Sequence, residues 1–276
     1  MTRLLHVSDL HFGRKNLPDQ VRAIEAMVAR EQFDAVAVSG DLTQRARVHE
    51  FVRARTFLAT VNRTSPTIAV PGNHDCTWWR APLHVVPSGW MFAKWRRHLG
   101  RAIEPVLRIP GATIVGLNTA HGIAIRTITR RPRDLSVIGD LLDSQIDHAA
   151  RAFAQAASGD RRVIVMHHNP VAGELSKRFG FRHSPHVLRE FAKIGVDLVL
   201  CGHDHQETAE RVGSAGSVVV ATAGTITTMS RGRRPTSVNM IELGTAHIAV
   251  RVMAWDSARG AFVAGQESRF EGRTPP

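Results

Sequence analysis

Leu198-Val199-Leu200-Cys201-Gly202-His203-Asp204-His205 passes from an unbroken apolar run straight into a glycine and three ionisable side chains. Four apolar residues bounded by a turn signal read as a buried strand, and the polar cluster placed directly behind it needs a reason. The arrangement recurs along the chain. Leu4–Val7 leads to Asp9-Leu10-His11, Ala35–Val38 to Gly40-Asp41, Thr67–Val70 to Gly72-Asn73-His74-Asp75, and Val163–Met166 to His167-His168. In open α/β sheets, sites form outside the carboxyl ends of strands, so five clusters spread from Asp9 to His205 can converge on one point.

Four further runs read as strands: Thr113–Leu117, Ser217–Ala221, Val238–Leu243 and His247–Trp255. Helical patterns lie between several of them. Pro18 opens one whose Val21, Ile24 and Val28 share a face, and a second covers about Ala46–Val61. Leu142, Ile146, Ala149, Phe153 and Ala156 step at 3.6-residue spacing towards Gly159. Ser184-Pro185 starts another, running to about Lys193. The early βαβ alternation predicts parallel pairing, and the strand-rich tail after Ser217 predicts antiparallel strands or a second sheet.

The chain has 276 residues, 43% of them hydrophobic and 22% charged, enough for one large domain with a sizeable core. Residues 1–276 are read as that single domain. Residues 76–107, rich in Trp, Arg and Pro without a clean period, form either an irregular insertion near the site or a packed loop. Cys76 and Cys201 cannot build a disulfide framework. The first strand run begins almost at Met1 with no secretory signal, and no apolar run approaches a membrane span, which makes the cytoplasm the expected location and excludes integral membrane association. Net charge is +12, with modest clusters at Lys94–Arg101, Arg126–Arg133 and Arg231–Arg234. So diffuse a charge reads first as a solvated surface and second as attraction to nucleic acid, anionic lipid or phosphorylated substrates.

Carboxylate oxygen, imidazole nitrogen and amide oxygen together suit Mn, Fe, Zn or Co, with no thiolate required. Asp-x-His and His-x-His would put two side chains on the same side of an extended segment. The Gly before Asp41, Asn73 and His203 lets the backbone turn or approach closely. Singly, each motif has an ordinary structural role: a turn, a helix cap, a packed histidine. Five in this order do not.

The ordered set Asp9-x-His11, Gly40-Asp41, Gly72-Asn73-His74-Asp75, His167 and Gly202-His203-x-His205 resembles the signature of the calcineurin-like metallophosphoesterase family, with no ligand position missing. The resemblance implies an α/β fold, a four-layer αββα sandwich with two mixed β-sheets flanked by helices. It implies two divalent metal ions, one taken by Asp9, His11 and His205, the other by Asn73, His167 and His203, with Asp41 bridging. His167 is chosen over His168 because it directly follows the strand. The resemblance also gives His74 as the catalytic histidine beside the substrate phosphate and Asp75 as its orienting partner.

The reaction implied is phosphoester hydrolysis by a metal-bridging hydroxide. Chain size and Gly40-Asp41-Leu42-Thr43 resemble the family's bacterial cyclic-nucleotide and glycerophosphodiester branch, so small phosphodiesters are the expected substrates. A nuclease, a lipid-linked or nucleotide diphosphate hydrolase capped by Trp78–Trp95, and a non-catalytic scaffold are the alternatives. Arg14, Asn118, His121 and His183 are weaker candidates for substrate contact, and Cys201 reads as a buried structural thiol.

Overall fold

The computed structural model describes residues 1–78, 88–123, 137–177, 180–181, 183–213 and 218–272. The basic cluster Arg126–Arg133, together with Trp79 and Ser217, lies outside the described residues.

The strands are β1 (Thr2–Val7), β2 (Ala35–Val38), β3 (Thr67–Ala69), β4 (Val106–Ile109), β5 (Ala112–Gly116), β6 (Arg161–Val165), β7 (Leu198–Cys201), β8 (Thr208–Val212), β9 (Val218–Thr222), β10 (Ser237–Leu243), β11 (His247–Asp256) and β12 (Ala261–Glu271). The helices are α1 (Pro18–Glu31), α2 (Val48–Val61), α3 (Ala93–His98), α4 (Asp143–Ala154) and α5 (Ser184–Lys193). One sheet has the order β12-β11-β10-β1-β2-β3, and the other β4-β5-β6-β7-β9-β8. Both are mixed. β1, β2 and β3 pair in parallel, as do β5, β6, β7 and β9, while β10–β12, β4 and β8 join antiparallel.

Period-two alternation along these strands creates the layers. In the first sheet Leu5, Val7, Val36 and Val38 face α1 and α2, meeting Ile24, Val28, Phe51 and Phe57. Their neighbours Leu4, Ala35 and Ala37 point the other way, onto Ile114, Val163, Val165, Leu198 and Leu200 of the second sheet. The opposite face of that sheet, Val115, Ile164, Val199 and Cys201, packs on Ile146, Ala149 and Phe153 of α4 and on Val187 and Phe191 of α5. Helix, sheet, sheet and helix follow in turn, with apolar contact at all three interfaces.

Residues 88–107 are more regular than the sequence suggests. They hold α3 and the start of β4, and Trp95 is buried against the first sheet's helices. No helix among the described residues is long and apolar enough to cross a membrane.

Candidate metal centre

The parallel strands of both sheets end at the same place. Asp9 and His11 follow β1, Asp41 follows β2 and Asn73 follows β3, whereas His167 follows β6 and His203 and His205 follow β7. Neither sheet alone carries the whole set.

The side-chain atoms fall into two clusters. In the first, His205 Nε2 lies 3.2 Å from Asp9 Oδ1 and 3.2 Å from His11 Nε2. In the second, Asn73 Oδ1 lies 3.1 Å from His167 Nε2 and 3.2 Å from His203 Nδ1. Asp41 Oδ2 stands between them, 3.6 Å from His11 Nε2 and 3.3 Å from His167 Nε2.

Donor-poor atoms crowded at these separations are what a cation organises. Ligands about 2.0–2.1 Å from an ion sit about 2.9–3.4 Å from one another in tetrahedral or octahedral geometry. Asp9 Oδ1 is buried and has no hydrogen-bond partner, so the first cluster carries an acceptor that the protein does not satisfy. The residue types and the spacing therefore fit two divalent ions sharing Asp41.

Outer contacts aim four of the candidate ligands. Asp9 turns Oδ2 to the His203 backbone N–H at 3.0 Å, leaving Oδ1 for the centre. Asp41 likewise accepts the His74 N–H on Oδ1 at 2.9 Å and leaves Oδ2. His167 donates Nδ1–H to the Ser39 carbonyl and His205 donates Nδ1–H to the Met229 carbonyl, which turns both Nε2 atoms towards the centre. Burial would raise both carboxylates, but His205 beside Asp9 and His167 beside Asp41 hold them below the usual range. Burial opposes charge on His167, yet Asp41 raises it to about 9. In the metal-free chain an imidazolium therefore offsets the carboxylates, a place a dication would take.

The backbone differs from the extended geometry expected for Asp-x-His and His-x-His. Asp9, His11, Asp41, His203 and His205 all have positive φ, between 43° and 72°. Left-handed conformations at non-glycine residues cost about 1–3 kcal/mol each and gather where function requires them. These residues reach one centre because the strand has ended, not because it continues.

His167 turns into the centre, while the His168 Nδ1 lies 2.8 Å from Thr119 Oγ1. His168 nevertheless stays close, with His167 and His203 within 4.8 Å of its ring nitrogen. The His74 ring meets the His11 ring edge-on at 4.8 Å, and its Nδ1 donates to the Gln44 carbonyl at 2.7 Å. Asp75 does not orient that ring, contrary to expectation. Its carboxylate accepts the Leu42, Thr43 and Gly72 backbone N–H groups and the Thr43 hydroxyl. Burial, with the Asp41 charge adding, pushes the Asp75 carboxyl up to about 6. Asp75 thus braces the loop that presents Asp41, and Gln44 acts through a carbonyl that no side-chain pattern could announce.

Among the weaker candidates, Asn118 caps its own loop by accepting the Ala120 N–H, and His183 is exposed at the start of α5. His121 lies in the loop after β5, near enough for its charge to disfavour a proton on His168. Arg14 is exposed beside the centre. Cys201 is fully buried on β7, where burial pushes its thiol up to about 12. Of the cap expected over Trp78–Trp95, Trp95 is core and Trp90 is exposed, while residues 79–87 lie outside the described residues.

The model of the calcineurin-like phosphoesterase family matches residues 2–207. The chain belongs to that family. A probable cyclic nucleotide phosphodiesterase of Pseudoalteromonas sp. is 24% identical over 218 residues, covering 74% of this chain and 72% of that one. A glycerophosphodiester phosphodiesterase of Enterobacter lignolyticus is 34% identical over 84 residues, 26% of this chain and 29% of that one. Among solved structures, a dimetal phosphatase from Danio rerio superposes with a TM-score of 0.67 at 11% identity, covering 99% of both chains. A purple acid phosphatase from yellow lupin gives 0.67 at 10% identity, covering 98% of this chain and 53% of that one. At such identities these two likenesses concern the fold alone.

Proposed function

We propose that this phosphoesterase is a dinuclear metal enzyme that hydrolyses small phosphodiesters. The observation that carries the proposal is Asp41 Oδ2, one carboxylate oxygen facing both donor clusters. Asp9, His11 and His205 would hold one ion and Asn73, His167 and His203 the other, with Asp41 common to both. Two divalent ions there would acidify water and neutralise charge on the phosphoryl group.

The chain's own residues supply the rest. Asn73 adds an oxygen without charge, so only Asp9 and Asp41 offset the ions and the centre stays attractive to an anionic diester. His74 has its Nδ1–H committed to Gln44, so as an imidazolium it would present Nε2–H to a phosphoryl oxygen or to the leaving alkoxide. Positive φ at five ligand positions preorganises the centre before substrate arrives. Because both sheets contribute ligands, we read residues 1–276 as one domain. Small diesters are favoured by the cyclic nucleotide and glycerophosphodiester relatives.

Elemental analysis after saturation with Mn or Zn should return two ions per chain. The loaded protein should turn over bis(4-nitrophenyl) phosphate faster than 4-nitrophenyl phosphate. One ion per chain or fewer, or a preference for the monoester, would refute this reading.

A further inference from the structure

The two loops that carry Asp9, His11 and Asp41 continue outward into basic residues. Arg14 and Lys15 follow His11, and Arg45 and Arg47 follow Asp41. The Phe12 N–H donates to the Leu42 carbonyl at 2.7 Å, and a bridge joins Phe12 to Thr43, so the loops run together. The four cations, with Gln44 and Glu50, line one cavity of about 430 Å³. Its position is fixed by Gln44, whose carbonyl accepts the His74 Nδ1–H.

Positive charge exceeds negative in this cavity, four cations to one carboxylate. Glu50 is the acidic residue of its lining, and that carboxylate is buried, accepting the backbone N–H groups of Arg45 and Arg47 on Oε2. Lys15 Nζ contacts only the Met229 sulfur, and neither Arg14, Arg45 nor Arg47 makes a side-chain ion pair among the described residues. Elsewhere the chain's arginines find carboxylates readily, as Arg3, Arg22, Arg234 and Arg251 do. The Gln44 Oε1 is buried without a partner, so this side chain is not tied to the protein by its oxygen. Four like charges held in one cleft repel until an anion enters, and guanidinium forks suit phosphate oxygens.

We propose that this cavity is a subsite for a second phosphate group of the substrate, so that the preferred small molecules carry a phosphomonoester or pyrophosphate besides the scissile diester. This rests on the diesterase reading above. One molecule then spans the metal centre and the cavity, and His74, adjoining both, stands at the junction.

The test compares three 4-nitrophenyl diesters whose second ester group is methyl, 2-carboxyethyl or 2-phosphoethyl, using metal-loaded protein. The 2-phosphoethyl ester should exceed the methyl ester in kcat/KM by about 10–100-fold, the scale of one or two charged hydrogen bonds. The carboxyethyl ester should fall between them. In Arg14→Ala/Arg45→Ala that ratio should collapse towards one. A wild-type ratio near one, or a ratio unchanged in the double variant, overturns the subsite. If none of the esters is turned over, the diesterase reading fails, and binding still decides the subsite. Calorimetry with inorganic tripolyphosphate and with inorganic phosphate should show the double variant losing at least 10-fold in affinity for the former relative to the latter. Equal losses for both anions, or none, would overturn it.

Discussion

Asp41 is the residue on which both clusters depend, because its Oδ2 faces His11 and His167 while its Oδ1 is fixed by the His74 N–H. Asp41→Ala should therefore leave fewer than two ions per chain and abolish turnover, measured by elemental analysis alongside diester hydrolysis. Two retained ions with near-normal turnover would remove the bridge. His74 is different, since its ring borders the centre and is oriented from outside it. His74→Ala should keep both ions and lose about 10²–10⁴-fold in kcat, with a smaller loss for nitrophenyl than for alkyl leaving groups if it protonates the alkoxide. Equal losses would assign it to phosphoryl stabilisation instead. The polar clusters behind five buried apolar strands were legible in the sequence as a convergent site, and the resemblance to the family implied which seven of their residues are the proposed ligands. The brace formed by Asp75 and the orientation of His74 by Gln44 were not legible, since both run through backbone groups that every residue possesses. His6 gives a separate test inside β1. It is fully buried against Ser39 Oγ at 2.9 Å, and burial pushes its pKa from 6.5 to about 3. Between those values the unfolded chain holds a proton that the folded chain lacks, so stability is present at higher pH and is lost as pH falls below 6.5. The His6 contribution is about 1.4 kcal/mol per pH unit. His6→Gln should flatten the pH dependence of unfolding between about pH 4 and 6.5 relative to the parent, and parallel curves would contradict it.

Among the elements, the strand ends carry the geometry. A Cβ on Gly72 would collide with the Asp41 carboxylate and backbone N, and one on Gly202 with Ser8 Oγ and the Asp9 carboxylate. Gly72 sits at an ordinary negative φ, so closeness rather than turning is what it provides. Gly72→Ala should thus shift Asp41 and lower metal stoichiometry while far-ultraviolet circular dichroism stays near the parent's. Full metal occupancy in that variant would show that the loop absorbs the methyl group. How far the elements could be read from sequence follows their place in the sheets. α1, α2, α4 and α5 were expected within a few residues because each lays one apolar stripe on a sheet. The strands that escaped notice, β4, β8 and β12, are edge strands. β12 shows why: Gln266, Glu267 and Arg269 replace the apolar alternation, as an edge facing water requires. α3 escaped because its six residues span too little for a period, and Trp95 alone anchors it.

At the scale of the molecule, the +12 charge must be assigned before a substrate is. Ion pairs leave that surplus unchanged, but they show which cations are occupied locally. Arg3, Arg22, Arg30, Arg161, Arg231, Arg234, Arg251 and Arg259 are paired with carboxylates. In the Lys94–Arg101 cluster, Lys94 donates to the Ala46 carbonyl and Arg96 to that of Gly89. Among the described residues, Arg14, Lys15, Arg45 and Arg47 gather in the cavity beside His74, a patch suited to one phosphate group. Raising salt from about 50 to 200 mM should then change kcat/KM for bis(4-nitrophenyl) phosphate only a few-fold, because contact at the metals is poorly screened. The 2-phosphoethyl diester should respond more steeply, since its second charge is bound by exposed arginines. A nucleic-acid enzyme neutralising 6–10 phosphates would instead lose about 10³–10⁵ in affinity over that range. Tight binding of DNA or RNA with that steep dependence, accompanied by cleavage, would replace the small-diester reading with a nuclease.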